Sequence, residues 1–230
     1  MTHRLKINTL ILPLVLWALT AGISANGIDP AEFRIRRQAY AARTADGVTV
    51  LFNALEEDLR EFAADKNFYY LTGAALPDAI LVLLPGHSQH KETLFIPERD
   101  LAQEKWTGPK LTPDLETARQ LGIGRVLSLE QFQAELTALM AGQNKIYAVL
   151  PNRKGTAPPS TQEGHLSRLR GLFPFAEIAP AATPIAHLRM TKSAAELALL
   201  KRAIQITIAA HGAASRVVAE GRPEYEVEAA

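Results

Sequence analysis

The sequence contains no cysteine among its 230 residues. This absence excludes a disulfide framework, a zinc site made of thiolates and a cysteine nucleophile. It is compatible with an oxidising compartment in which no bridge is needed, although it does not require one.

The sequence also lacks an excess of charge of either sign. It has 25 Lys and Arg against 24 Asp and Glu, a formal net charge of +1, so nothing indicates nucleic acid as a partner. With 47% hydrophobic and 21% charged residues, the composition is that of an ordinary globular protein. The densest basic group lies among Ala, Glu and Gln, and we interpret it as a solvated helix face: Arg34, Arg36, Arg37 and Arg43.

No acidic residue occurs before Asp29, and the N-terminus has the pattern of a secretory signal peptide. A basic start precedes an apolar run over residues 7–23, and small residues follow with Ala25 before the cleavage point. We therefore predict a signal peptide over residues 1–25 and a secreted or periplasmic protein. The alternative is an uncleaved anchor, but the run is barely long enough and Pro13 would interrupt a spanning helix. We expect no stable membrane insertion after cleavage.

Alternating strand and helix signals predict an α/β fold with a mixed β-sheet and flanking helices. Polar turn residues between two of the strands predict an antiparallel hairpin over residues 79–96. Strands are predicted at 48–52, 68–73, 79–84, 93–96, 125–127 and 145–150. Helices are predicted at 29–45, 113–120, 129–140 and 161–172, with a proline-rich loop over 152–160.

Proline and alanine around residues 180–184 form an unpatterned spacer, which we interpret as a domain boundary. Beyond it, Ser193 and Glu196 have the spacing of a capping box at the start of a long helix. Four apolar residues then recur on one face of this helix: Leu197, Leu200, Ile204 and Ile208. A further helix begins after Pro223, and the sequence stops at Ala230 without a cap. We expect a second domain that has started and is cut short.

Few residues have the pattern of a reaction centre. His87, His90 and Glu92 lie close together in the hairpin loop, either as a metal site or as a polar turn. The polar turn is favoured, because a closed metal site needs three or four ligands on positioned elements. The Gly122–Gly124 segment lacks the third glycine of a dinucleotide site and is predicted to be a turn. Three other histidines are predicted to be surface or packing residues: His165, His187 and His211.

Four segments together resemble the creatinase/aminopeptidase P family. They occur in the family's order and spread across about 160 residues of the chain. They are F-x-Y-L-T-G at 68–73, R-D…E-x-W-x-G at 99–108, R-x-x-K-S-x-x-E at 189–196 and G-x-x-E-x-E at 221–226. The resemblance implies the family's N-terminal α/β domain over residues 26–182. It also implies that residues 183–230 are the first helices of a pita-bread metallopeptidase domain.

The family resemblance also implies an activity. Members hold two divalent metal ions, commonly Mn²⁺, and hydrolyse the bond between the first residue of a peptide and a proline in second position. Relatives are often homo-oligomers. None of the family's metal ligands falls within this sequence, so we expect this chain alone to be inactive.

One position carries a family role directly. Trp106 resembles the tryptophan that in relatives reaches a neighbouring subunit's active site and shapes substrate access. The alternative for Trp106 is core packing. Two alternatives also remain for the chain as a whole: a non-catalytic peptide-binding or oligomerisation module of the same fold, and a relative of prolidase or creatinase.

Overall fold

The computed structural model of the protein describes residues 27–55, 62–102, 104–151 and 160–229. The predicted signal peptide (residues 1–25) lies outside these ranges, as does the predicted loop at 152–160 apart from Ser160. Within the described residues, no helix is both long and apolar enough to cross a membrane.

Strands are interspersed with helices along the described chain. The strands are β1 (Val48–Phe52), β2 (Ile80–Leu83), β3 (Glu92–Ile96), β4 (Arg125–Ser128), β5 (Lys145–Ala148) and β6 (Glu177–Pro180). The first helices are α1 (Pro30–Ala41), α2 (Lys66–Thr72), α3 (Glu104–Thr107), α4 (Leu115–Leu121) and α5 (Phe132–Leu139). The later helices are α6 (Thr161–Leu172), α7 (Ala182–Met190), α8 (Ala194–Val217) and α9 (Glu224–Glu228).

The described strands form one six-stranded sheet in the order β4-β3-β2-β1-β5-β6. The central strands β1, β2 and β3 pair antiparallel, whereas the outer pairs β3–β4, β1–β5 and β5–β6 are parallel. The mixed sheet confirms the predicted fold class, and the β2–β3 pairing confirms the predicted hairpin.

Both faces of the sheet are covered by helices. Side chains alternate along a strand, so Leu51 and Leu81 pack on one side while Val50 and Val82 pack on the other. The first side is covered by α1, α2, α4 and α7, and the second by α5 and α6. This double coverage explains why β1 and β2 consist of nearly continuous apolar residues.

The segment predicted as a strand at 68–73 is a helix, and that prediction is wrong. The side chain of Asp65 accepts hydrogen bonds from the backbone of Asn67 and Phe68, at 2.9 and 3.0 Å, and so caps α2. Gly73 ends the helix in the left-handed conformation at φ 66°. Capping at both ends outweighs the strand preference of the aromatic run.

The predicted spacer at 180–184 is also wrong, because these residues belong to β6 and α7. The backbone N–H of Ala181 donates to the carbonyl of Ala148 at 2.9 Å, and both Ala181 and Ile185 are fully buried. Proline is tolerated at position 180 because β6 is an edge strand. The domain boundary after residue 182 stays a prediction.

The arginines of α1 do not form one solvated face, which corrects a further prediction. Arg34 and Arg43 are exposed, but Arg36 is 7% exposed and Arg37 is fully buried. Arg37 donates from Nε to Glu92 at 3.0 Å, from Nη1 to the Leu71 carbonyl at 2.9 Å and from Nη2 to the Gly122 carbonyl. A planar fork that meets three acceptors is what permits the burial of this charge.

Gly73 offers a test of the α2 terminus. A Cβ at Gly73 would lie 2.3 Å from Cε2 of the buried Phe33 ring, whereas one at Gly142, also left-handed at φ +76°, would meet nothing within 4 Å. We expect Gly142→Ala to lower the free energy of unfolding by about 1 kcal/mol. Gly73→Ala should cost about 2 kcal/mol more, because the ring must shift. Urea unfolding measures both, and equal losses would contradict this close packing.

Candidate functional site

Trp106 lies on the short helix α3, between β3 and α4, and its side chain is 90% exposed. The alternative of core packing is therefore wrong within this chain. An exposed indole buries little apolar surface and so contributes little to the stability of this chain. Surface tryptophans are enriched where proteins bind ligands or partners. The exposure keeps Trp106 as the candidate residue of the site.

An ion pair fixes the loop that presents Trp106. Arg99 donates from Nε to Oε1 of Glu104 at 2.7 Å and from Nη2 to Oε2 at 2.6 Å. Oε1 also accepts the backbone N–H of Lys110 at 3.1 Å. The carboxylate of Glu104 thus joins the residue before the loop to the residue after it, with Trp106 between them. Paired hydrogen bonds of this kind fix orientation as well as distance.

Backbone contacts complete the same loop. Asp100 accepts the N–H of Ala102 on its side chain at 2.8 Å and that of Glu104 on its carbonyl at 3.0 Å. Gly108 adopts φ +79° and donates its N–H to the Glu104 carbonyl at 3.0 Å. The motif residues Arg99, Asp100, Glu104 and Gly108 therefore each make a contact that stabilises the loop. Among the motif residues, only Trp106 makes no such contact in the described part of the chain.

The ion pair also changes the protonation of Glu104. Hydrogen bonds from Arg99, and next the backbone N–H of Lys110, lower the pKa of Glu104 to about 2. The carboxylate of Glu104 in turn raises the pKa of Arg99. Both groups therefore keep their charges throughout the neutral and mildly acidic range. The ion pair between them, which we call the Arg99–Glu104 clamp, stays formed over that range.

A cleft of about 430 Å³ lies under the two ends of this loop. Its walls include Pro97 and Asp100 from one end and Pro109 and Lys110 from the other. Apolar side chains from the body of the domain close it: Phe62, Leu76, Ile96 and Leu111. The loop thus stands over a recess that is partly apolar, with Trp106 projecting outside it.

A second cluster joins α1 to the start of α8. Arg36 pairs with Glu32 and lies 3.4 Å from Oε1 of Glu196, and Ser193 donates from Oγ to Glu32 at 2.7 Å. Ser193 and Glu196 also cap α8 reciprocally, which confirms the predicted capping box. The K-S-x-x-E residues thus both begin α8 and attach it to the α/β domain.

Arg189 adds a second attachment nearby. Its Nη1 donates to the side-chain oxygen of Asn67, at the start of α2, at 3.2 Å. The cationic group lies 6.0 Å from the centre of the Tyr70 ring, which Arg36 covers from 4.4 Å. Two of the four family-like segments therefore lie close together around Tyr70 and Arg36, namely residues 68–73 and 189–196.

The chain matches one protein family over its α/β domain. Residues 33–147 match the model for the aminopeptidase P N-terminal domain, half of the chain and most of the sheet. The chain belongs to the aminopeptidase P family. It is 30% identical over 213 residues to the Xaa-Pro aminopeptidase of Escherichia coli strain K12. The alignment covers 87% of this chain and 48% of that protein. The chain spans about half the length of the curated relatives it matches.

Solved structures of aminopeptidase P have the same fold. That of Pseudomonas aeruginosa PepP matches with a TM-score of 0.76 at 25% identity, over 88% of this chain and 48% of that one. The E. coli enzyme with the inhibitor Pro-Leu matches with a TM-score of 0.73 at 26% identity and the same coverage. The E. coli enzyme has also been solved as a zinc-substituted complex with product.

The aminopeptidase P residues described here hold no metal-binding group. In the described ranges, no three His, Asp or Glu side chains lie close enough together to bind a metal ion. His87 accepts the backbone N–H groups of Gln89 and His90 on Nδ1, at 3.1 and 2.9 Å, and Glu92 pairs with Arg37. The loop is thus organised as a polar turn, as the sequence favoured.

Gly122 and His165 lie where the sequence predicts them, in a turn and in a packed position. Gly122 ends α4 in the left-handed conformation, which confirms the turn. His165 stacks on Phe52 with the ring centres 4.0 Å apart, which confirms a packing role. Burial lowers the pKa of His165, so it stays neutral at physiological pH.

The apolar stripe predicted for α8 lies on the surface of the described chain. Leu197, Leu200, Ile204 and Ile208 are between 47% and 65% exposed. Their spacing places them along one side of the helix, and they have no cover in the described part of the chain.

The clamp around Trp106 predicts a pH effect. The folded-state pKa of Glu104 lies below its ordinary value of 4.5, so its stabilising contribution is present above that value and is lost as pH falls toward about 2. In a Trp17→Phe background, fluorescence anisotropy of Trp106 should drop over this interval. Glu104→Gln should lower the anisotropy at pH 7 and abolish the pH dependence.

Glu98→Gln, which removes a carboxylate from the same loop, is the matched control and should behave like the parent chain. An anisotropy of Trp106 that is unchanged by Glu104→Gln would contradict the role of the clamp.

Proposed function

We propose that this chain is the N-terminal part of a metal-dependent Xaa-Pro aminopeptidase that acts outside the cytoplasm. The single observation that carries this proposal is the family match across α1 to β5, with relatives named Xaa-Pro aminopeptidase. The substrate class is peptides with proline in second position. Export is supported by the composition of residues 1–25.

The proposal assigns the peptidase chemistry to a second domain. The helices α8 and α9 would begin that domain, and the apolar stripe of α8 is the surface on which it would pack. The burial of Ile185 among the residues of the first domain favours a division between α7 and α8, somewhat later than residue 182. The attachment of Arg36 and Arg189 would then set how the two domains meet.

Two divalent metal ions, commonly Mn²⁺ in this family, would supply the hydrolytic chemistry in the second domain. A solved zinc-substituted relative supports divalent metal binding in the family. The residues described in this chain do not form such a site, so no step of the reaction is assigned to them.

The role proposed for this chain lies in substrate access. Trp106 is exposed, is held in place by the Arg99–Glu104 clamp and stands on a loop over a partly apolar recess. In a homo-oligomer it would border the active site of a neighbouring subunit. A proline ring packs well against an indole face, which suits a substrate with proline in second position.

A chimera tests the proposal. The chimera joins residues 26–230 of this chain to the part of the E. coli relative that follows the aligned region. Its activity is measured as release of the first residue from Xaa-Pro peptides in the presence of Mn²⁺. We expect the chimera to be active, to lose activity with a chelator and to reject peptides with alanine in second position. The 230-residue chain alone should show no turnover.

Turnover by the chain alone would contradict the assignment of chemistry to the second domain. A folded chimera without activity, under conditions in which the E. coli parent is active, would instead favour a non-catalytic peptide-binding or oligomerisation module. In the active chimera, Trp106→Ala should raise KM by about tenfold, the scale expected when a stacking contact worth 1–1.5 kcal/mol is lost. Leu101→Ala, at another exposed apolar residue of the same loop, should leave KM unchanged.

A further inference from the structure

A second cleft lies away from Trp106, on the side of the sheet that α1 covers. Its volume is about 700 Å³, within the range of small-molecule sites. One wall is α1, the opposite wall is α4 with the turn that follows it, and the β2–β3 loop closes one end. Leu83, Ala118 and Ile123, all buried, give it an apolar floor.

The rim of this cleft is strongly basic. Arg34 projects from α1, Lys91 from the β2–β3 loop and Arg119 from α4, and all three side chains are exposed. With Arg37 at the base, four cations line the cleft against one carboxylate, that of Glu92. A formal local charge of +3 contrasts with the +1 of the whole chain.

These charges are poorly compensated within the protein. The carboxylate of Glu92 is already engaged by Arg37 at 3.0 Å. In the described residues, Arg34 and Lys91 make no ion pair, and Arg119 has only an exposed pair with Glu116 at 3.6 Å, which contributes little. Burial lowers the pKa of Arg37, and the positive charge of Arg34, three residues earlier on the same helix, adds to this effect.

The three rim cations come from three separate elements, and Arg37 connects those elements. It joins α1 to Glu92 in β3 and to the Gly122 carbonyl after α4. The spacing of the cations is therefore set by the buried framework and does not depend on one flexible loop. Two amide side chains, Gln38 and Gln89, add hydrogen-bond donors to the same walls.

We propose that this cleft binds a small organic anion with at least two phosphate or carboxylate groups, its apolar part resting on the floor of Leu83, Ala118 and Ile123. Three cations around an apolar floor suit several anionic groups on one compact ligand. The volume is too small for a folded partner. Trp106 does not line this cleft, so the site is independent of the proposed peptidase role.

The test is calorimetric titration of the 230-residue chain with two probes, pyrophosphate and citrate, in about 50 mM salt, where screening leaves local charges effective. We expect saturable binding of at least one probe. The Arg34→Gln/Lys91→Gln/Arg119→Gln variant should bind at least tenfold more weakly. The control Arg170→Gln/Lys201→Gln/Arg202→Gln removes the same charge from exposed sites outside the cleft and should bind within about twofold of the parent.

The comparison of probes distinguishes phosphate from carboxylate as the recognised group. The rim side chains make no buried contact, so the variants should keep the circular dichroism and urea midpoint of the parent. Equal weakening in both triple variants would show a non-specific charge effect and overturn the proposal. The absence of saturable binding of either probe up to about 10 mM, a scale at which even very weak sites fill, would also overturn it.

Discussion

The structure depends on one buried charge. Arg37 has no exposed surface, and its guanidinium bonds to β3 through Glu92, to the end of α2 through the Leu71 carbonyl and to the turn after α4 through the Gly122 carbonyl. Removing a charge from water is costly, and only a full set of acceptors offsets that cost. Since those acceptors come from three elements, the charge is tolerated only when all three are in place.

This requirement makes α1 the organising helix of the described chain. Phe33 packs under the glycine that ends α2, Arg34 borders the basic cleft, and Arg36 reaches the capping box of α8. Each of these contacts lies within one turn of Arg37. The helix that packs on the sheet therefore also contacts the start of α8, through Arg36 and Glu32.

Sequence reasoning found what local patterns determine and missed what distant contacts determine. The apolar strands β1 and β2, the capping box at Ser193 and the stripe of α8 were predicted because each is encoded by nearby residues. The burial of Arg36 and Arg37 was missed because, apart from Glu32, their acceptors lie 34 to 160 residues away. The family motif identified Trp106 as a candidate residue, but not its 90% exposure. The ion pair between Arg99 and Glu104 could not be predicted either, because a separation of five residues does not by itself bring two side chains together.

We infer that Arg37, by fixing the position of α1, holds both the sheet and the start of α8 in place. Hydrogen exchange of Arg37→Met tests it most directly, with the exposed Arg43→Met as control. We expect that amides of α2, β3 and the first turn of α8 lose protection together in Arg37→Met, while Arg43→Met matches the parent. Loss of protection confined to the turn at 122–124, with the first turn of α8 unchanged, would contradict it.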